Sequence, residues 1–516
     1  MIATCLATLW LLGGLEAGNG PNVEARRLAT VPQDAKLKGV FLSPDPRRLG
    51  LIARRGAKEF AVVDGLPGEE FDSVSPLNFS PDSKNVAYFA RNGAQEFAVI
   101  NGLRGEAWDF VQSPTFSPNS ARFAYAATRG TRRYLVLDGR RAGDYDSLNP
   151  PFVFSPDSRR LAFVAGRAGR EFVVSDTGAQ ESYDLVLQPV SFSNDSKRIG
   201  YVGVDGLKEY AVVDGVRGGE FERMIQPVTF TPDSRHFGYI ARKGQREYAV
   251  LDWMKQEDYS RFLTPIAFTG DSRHAGYIVK DETRQAVVLD GLRGEKYEKI
   301  TSGIYFSSCG KHAAYSARQQ GREFVVVDGL REQEFDSVNS MVFSGCFRLR
   351  AYLARQNGRS FAVVNGVRGE EFDRVSQLVL SPDGKRIAYL ASGKGFSCAV
   401  VDGLKEHAEG EIESLGFSPD SAGLWYVEKL GGKRRLVFGG TGGDEFDDLR
   451  MLTFSPLGNR LAYIGRRSQK LRVVVGADQS GDFDEIWALR FENTGRTVSF
   501  DARNGNDLWR ILMTQE

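Results

Sequence analysis

Chemistry in this chain would have to come from its four histidines, four cysteines or 66 acidic residues. His236, His274 and His312 stand 38 residues apart, at a position held elsewhere by Arg160, Arg198 or Asn85. A three-histidine metal centre needs three ring nitrogens about 2 Å from one ion. Residues at equal points of successive repeats splay apart, so these three are expected as solvent-facing turn residues, and no metal ligand is assigned. His407 stands alone. The chain has no His-Glu-x-x-His pair, no Gly-x-Ser-x-Gly elbow and no phosphate-binding Gly-x-x-x-x-Gly-Lys-Ser/Thr loop. A pair of carboxylates could act as general acid and base, but Asp72, Asp109, Asp146, Asp184, Asp336, Asp373, Asp447 and Asp484 recur with one period. Recurrence points to a structural task, either hydrogen bonding or pairing with recurring bases such as Arg91, Arg242, Arg318 and Arg355. No catalytic residue and no cofactor follows from these patterns.

Charge narrows the partners. Lys+Arg 67 against Asp+Glu 66 leaves a net charge of +1, so no basic field gathers phosphates, and nucleic acid is not an expected partner. Residues 2–15 form an apolar run ending in small residues, the pattern of a secretory signal over 1–18, and it is too short to span a bilayer. Export to a periplasmic or extracellular space is expected, with no membrane insertion once the signal is removed. Cys5 would leave with it. Cys309 and Cys346 lie one repeat apart, and equal points of adjacent units usually exceed the ~7 Å Cα separation that a disulfide allows, so free thiols are expected at both.

The elements that position these residues come from a repeat. An anchor recurs at Ser43, Ser80, Ser117, Ser155, Ser193, Thr231, Thr269, Ser307, Ser344, Ser381, Ser418 and Ser455, with a degenerate thirteenth at Glu492; the intervals are seven of 37 and five of 38 residues. Within each unit, four short runs of β-branched and aromatic residues are separated by Ser-Pro-Asp-Ser, Asn-Gly-x-x and Asp-Gly turns, which predicts a four-stranded antiparallel meander. Aromatic residues recur in the second strand (Tyr88, Tyr125, Phe163 and onward) and at the end of the fourth (Phe71, Trp108, Tyr145, Tyr183, Phe221, Tyr259, Tyr297, Phe335, Phe372, Phe446 and Phe483). A sheet of 37 residues cannot bury two rings against itself, so the rings must wedge between successive sheets, as in a propeller.

The phrase Phe79-Ser80-Pro81-Asp82-Ser83-Lys84-Asn85-Val86-Ala87-Tyr88 and its copies resemble the WD40-like Pro-Asp repeat of TolB-type β-propellers, over roughly residues 35–510. The resemblance implies a bacterial periplasmic or extracellular propeller that works by holding other proteins. Two departures limit it. TolB proteins carry a separate N-terminal α/β domain, for which there is no room before Ser43, and their propellers have six blades. The same repeat also occurs in propellers attached to prolyl-oligopeptidase-type hydrolases, whose catalytic domain is not expected here.

The fold expected is all-β, a β-propeller of about 13 four-stranded blades. Residues 25–31 form an orphan strand that would complete the last, three-stranded unit and close the ring. Since propellers typically have four to eight blades, two tandem rings (6+7) are expected, over 25–262 and 263–516. The alternative is a single large ring, favoured by a spacing that never varies by more than one residue.

The five consecutive 38-residue intervals place an extra residue in the link between blades, near Gln188, Gln226, Thr264 and Ser302. These four, with Trp253 and Trp487 at loop positions, are the partner-binding candidates. The function expected is non-enzymatic binding of a protein or polysaccharide partner through a loop face. The alternatives are a carbohydrate-active hydrolase or lyase with carboxylates in the propeller channel, and a purely structural array.

Overall fold

The computed structural model describes residues 22–515 apart from 46, 177 and 493, and omits the side chain of 188. The signal reading of residues 1–18, with Cys5, lies outside the described residues. The described chain forms thirteen β-sheets arranged in a ring, the arrangement of a thirteen-bladed β-propeller. We number the blades by their residues: 36–67, 73–108, 110–145, 147–183, 185–221, 223–259, 261–293, 299–331, 337–368, 374–407, 411–446, 448–479, and 485–514 joined by 22–30. Each is an antiparallel meander with its strands in chain order, and the first strand is split into two pieces in blades 2, 7 and 8. The expected tandem rings of six and seven give way to this single ring. One short link, varying by a single residue, serves between the repeats and leaves no irregular connection at which a new ring could begin.

Blade 13 takes its outermost strand from the other end of the chain. Asn22–Thr30 pairs antiparallel with Asp507–Thr514, so the sheet order runs from the N-terminal strand through the last hairpin. The orphan strand therefore does complete the last unit, and it starts three residues earlier than expected.

The described chain divides into two compact units, one over 33–319 and the other over 320–515 with 22–32. In the first, blades 1–7 show one burial pattern. Their second and third strands are buried on both faces, as in Leu161–Arg167 and Lys208–Val213, because a sheet lies against each side. The fourth strand is mostly exposed, as in Leu103–Trp108, until its last residue turns inward. That residue is the recurring aromatic. Trp108 packs in one cluster with Ala127 of the next blade, Tyr259 with Val279, and Phe221 with Ala241. The second unit repeats the arrangement with Phe335 against Ala354, Phe372 against Ala391 and Phe483 against Ala502. The partner is alanine or glycine in most blades, and at the glycines there is no room for more: a Cβ on Gly203 would meet the Tyr183 ring at 2.5 Å, and one on Gly465 the Phe446 ring at 2.5 Å.

The Ser-Pro-Asp-Ser turn joins blades as well as strands. Ser80 Oγ donates to Asp82 Oδ1 at 2.7 Å, and the same carboxylate accepts the Lys84 N–H. The Asp82 N–H reaches across to Ser120 Oγ of the following turn at 2.9 Å. That bond explains why a non-glycine residue holds a positive φ there, 65° at Ser120 and 64° at Ser83: the hydroxyl receives the neighbouring blade.

Candidate functional site

Most chemistry-bearing side chains serve the repeat. Seven of the eight recurring aspartates cap the turn between strands 2 and 3, as Asp72 accepts the Gly93 N–H at 2.6 Å, Asp109 that of Gly130, and Asp484 that of Gly505. The basic partner comes from the start of the third strand, Lys58 for Asp72, Arg132 for Asp146 and Lys470 for Asp484. A second basic residue follows the Pro-Asp turn. Arg48 joins Asp64 of its own blade at 2.8 Å and donates to the Ser83 and Lys84 carbonyls of the next; Arg160 and Arg386 do the same in theirs. His236 and His274 occupy this position, with Nδ1 at 2.5 Å from Asp252 and 2.7 Å from Asp290. They are half-length versions of the same clamp. Among the described residues no group of three or more His, Cys, Asp or Glu is placed to hold a metal ion.

Cys309 and Cys346 are both disulfide-bonded, which corrects the expectation of free thiols, and Cys398 is free and buried. The separation argument fails because successive turns on this side lie within hydrogen-bond reach of one another, as Asp45 N–H and Ser83 Oγ do at 3.0 Å.

The antiparallel order of the strands puts the turns between strands 1 and 2 and between strands 3 and 4 on one face of the blades. The 2–3 turns and the links to the next blade lie on the other. The partner candidates divide between them. Gln226 is buried and spans its junction, accepting the Ile266 N–H at 2.8 Å. Thr264 Oγ1 and Ser302 Oγ accept the N–H groups of Ile278 and Ser316, holding irregular first strands to their second strands. Gln188 lies in the strand Leu185–Phe192, its side chain outside the described residues. Trp487 is half-buried in Glu485–Phe491. Trp253 sits on the opposite face, in a 3–4 hairpin. It is 39% exposed, with its ring edge-on to Phe237 at 4.9 Å and closed over Gly218. It fills a gap between blades 5 and 6.

The repeat is broken most sharply on the link face between blades 10 and 11. In blade 10 the terminal aromatic is replaced by Glu409, the turn-capping aspartate by Gly410, the basic residue of the third strand by Phe396 and the buried aromatic beside it by Cys398. Across the junction, blade 11 replaces the small residue by Glu428 and the third-strand aromatic by Arg435. The changes fit together. Arg435 Nη2 lies 2.5 Å from Glu428 and 2.9 Å from Glu409, and Glu428 Oε2 accepts the N–H groups of Glu409 and Gly410 at 3.1 and 3.2 Å. Glu428 is 1% exposed, so a charged bridge stands where a ring lies in other blades. The Glu428 carboxylate, aided by Glu409, raises the Arg435 guanidinium above its ordinary pKa.

Losing the ring also loses a backbone bridge. Phe372 exchanges both bonds with Ser360 at 2.8 and 2.9 Å, whereas the blade 10 equivalent keeps only a 3.5 Å contact from the Ala408 N–H to the Ser397 carbonyl. The fourth strand stays paired as far as His407, and a cleft of about 900 Å³ lies beside the link that follows it. Arg374, Gln377, Phe396, His407, Glu411 and Glu413 are among its lining residues. Gln377 clasps the junction through the Glu413 carbonyl and the Leu415 N–H, and Glu413 pairs with Arg434 at 2.6 Å. Glu409 and Glu428 are non-periodic carboxylates close to each other, but Arg435 lies between them and occupies the space a substrate atom would need. None of the lining residues is among the partner candidates read from the sequence, where this junction shows only as gaps in the aromatic and small-residue columns.

No family model matches the chain, and no curated protein matches it. Among solved structures, one described as a crystal structure of the eukaryotic initiation factor is similar at 13% identity, covering 70% of this chain and 96% of that one, with a TM-score of 0.28. Dihydro-heme d1 dehydrogenase NirN in complex with DHE is similar at 11% identity, over 54% and 70% of the two chains, with a TM-score of 0.26.

Proposed function

We infer that this protein is a non-enzymatic, exported β-propeller that binds an envelope or extracellular protein or polymer through the face carrying its 2–3 turns and blade links. The observation that carries the reading is the concentration of departures from the repeat at one junction of that face, where six positions change together and leave a cleft of about 900 Å³. Elsewhere the same positions hold turns and blades together. The apolar run at 2–15 supports export, and the resemblance to the WD40-like Pro-Asp repeat supports a role in holding a partner.

Capture from an envelope extract tests the reading. The wild type is compared with Arg374→Glu/Glu411→Arg, which alters the link face, and with Trp253→Ala on the opposite face. Partner recovery is expected to fall with the first and persist with the second. Equal recovery by all three removes the link face from the function, and a tagged full-length chain retained in the cytoplasm removes export.

A further inference from the structure

We propose that the cleft between blades 10 and 11 is a carbohydrate site that takes a segment of an oligosaccharide chain. The proposal rests on the binding role above and gives that role a ligand class.

Phe396 is the first observation. Its position, the start of the third strand, is basic in ten of the other twelve blades, where Lys58, Arg132 or Arg359 meets the turn-capping aspartate. In blade 10 both partners are gone, since the aspartate is Gly410. The replacement is a ring left 41% exposed, lying against Gly393, where an added Cβ would meet Phe396 Cε1 at 2.3 Å. Glycine behind the ring lets it lie flat on the hairpin and turn its other side to the cleft. An aromatic ring backed in this way offers a platform for the apolar C–H face of a pyranose, with its polar edge left free.

The second observation is what surrounds the platform. Arg374 and Glu411 are equivalent residues at the starts of blades 10 and 11, both exposed, and among the described residues neither makes an ion pair. The cleft thus presents one free guanidinium and one free carboxylate, with His407 beside them. A phosphate would meet Glu411 and an ammonium would meet Arg374. A polyhydroxylated chain satisfies both, because each hydroxyl donates and accepts. The cleft is open to solvent along the link face, which leaves room for a chain longer than one sugar.

Isothermal titration with chitohexaose, cellohexaose and maltohexaose tests the site on the full chain. At least one is expected to bind, with affinity falling at least tenfold in Phe396→Lys, which restores the repeat, and at least fivefold in Glu411→Gln. Trp253→Ala, on the other face, is expected to bind as wild type. All three positions are exposed, and unchanged circular dichroism confirms the fold. Failure of all three sugars to bind at millimolar concentration overturns the proposal, as does binding that survives Phe396→Lys. Partner capture that still depends on Arg374 and Glu411 in the absence of sugar binding would leave the binding role standing and remove only this ligand class. Loss of both would remove both.

Discussion

Junctions 9–10 and 10–11 are neighbours built from the same repeat, yet they are joined by opposite chemistry. At the first, Phe372 packs over Ala391 within a core that includes Cys398 and Val400. At the second, Glu409 and Glu428 share Arg435, and the apolar cluster beside them, with Ile412, Leu415 and Tyr426, has no ring from the fourth strand. The difference shows that a blade junction can be held by a hydrogen-bonded charge bridge in place of a buried ring. The exchange also replaces the two-bond backbone bridge at the end of the fourth strand with a single 3.5 Å contact.

The largest effects should come from leaving either junction half made. Arg435→Met strands the buried Glu428 carboxylate and is expected to destabilise the protein by about 3–5 kcal/mol in urea unfolding. Phe372→Ala should cost about the same, roughly 3–5 kcal/mol, through a cavity instead of a charge. Similar costs by unlike routes would confirm the comparison, and a small effect at Arg435 would break it.

Converting one junction into the other sharpens the point. Glu409→Phe with Glu428→Ala and Arg435→Phe rebuilds the apolar wedge, and the triple variant should be more stable by about 1–4 kcal/mol while losing the oligosaccharide binding proposed for the cleft. A destabilised triple variant would mean that the bridge is better packed than a ring.

A smaller effect is expected at the turns. Ser120→Ala removes the acceptor of the Asp82 N–H and should cost about 1 kcal/mol by the same measurement, with Ser83→Ala similar. Blade 12 carries Gly458 at this position, where an added Cβ would meet the Asp420 N at 2.6 Å, so Gly458→Ala should be worse tolerated.

The smallest effect is a pH dependence. Hydrogen bonds from the Ser80 hydroxyl and the Lys84 N–H hold Asp82 below the usual carboxylate range, and Asp157, Asp195 and Asp383 are lowered in the same way by their own turns. A lowered folded pKa gives stability that is present above the unfolded value and lost as pH falls through the folded one. Stability should therefore hold down to about pH 4 and then decline, and Asp82→Asn should remove its share of that decline.

The blades are legible in the sequence because local signals recur in register: Asp-Gly six times for the outer hairpin, Pro-Asp six times for the inner turn, and paired rings in nearly every unit for the wedge. The closing strand was legible because an edge strand needs a partner and only the last unit lacked one. The cleft was harder to find. It depends on two columns failing together, Glu409 in the aromatic one and Glu428 in the small-residue one, and each looks like drift when taken alone. Of the six partner candidates, Gln188, Gln226, Thr264 and Ser302 rest on link length, and Trp253 and Trp487 on being large apolar residues at loop positions. Gln226, Thr264 and Ser302 satisfy backbone groups where the extra residue distorts the first strand, a task that link length does not distinguish from recognition.

The closing blade also sets a timetable. Thr30 meets Asp507 across 477 residues of chain, so at roughly 5–20 residues per second a ribosome needs about 25–95 s to deliver the partner of the first strand. Through that interval the strand Asn22–Thr30 waits with both edges bare. Glu24, Arg26 and Arg27 along it are the kind of residues that keep such an edge from seizing another nascent copy.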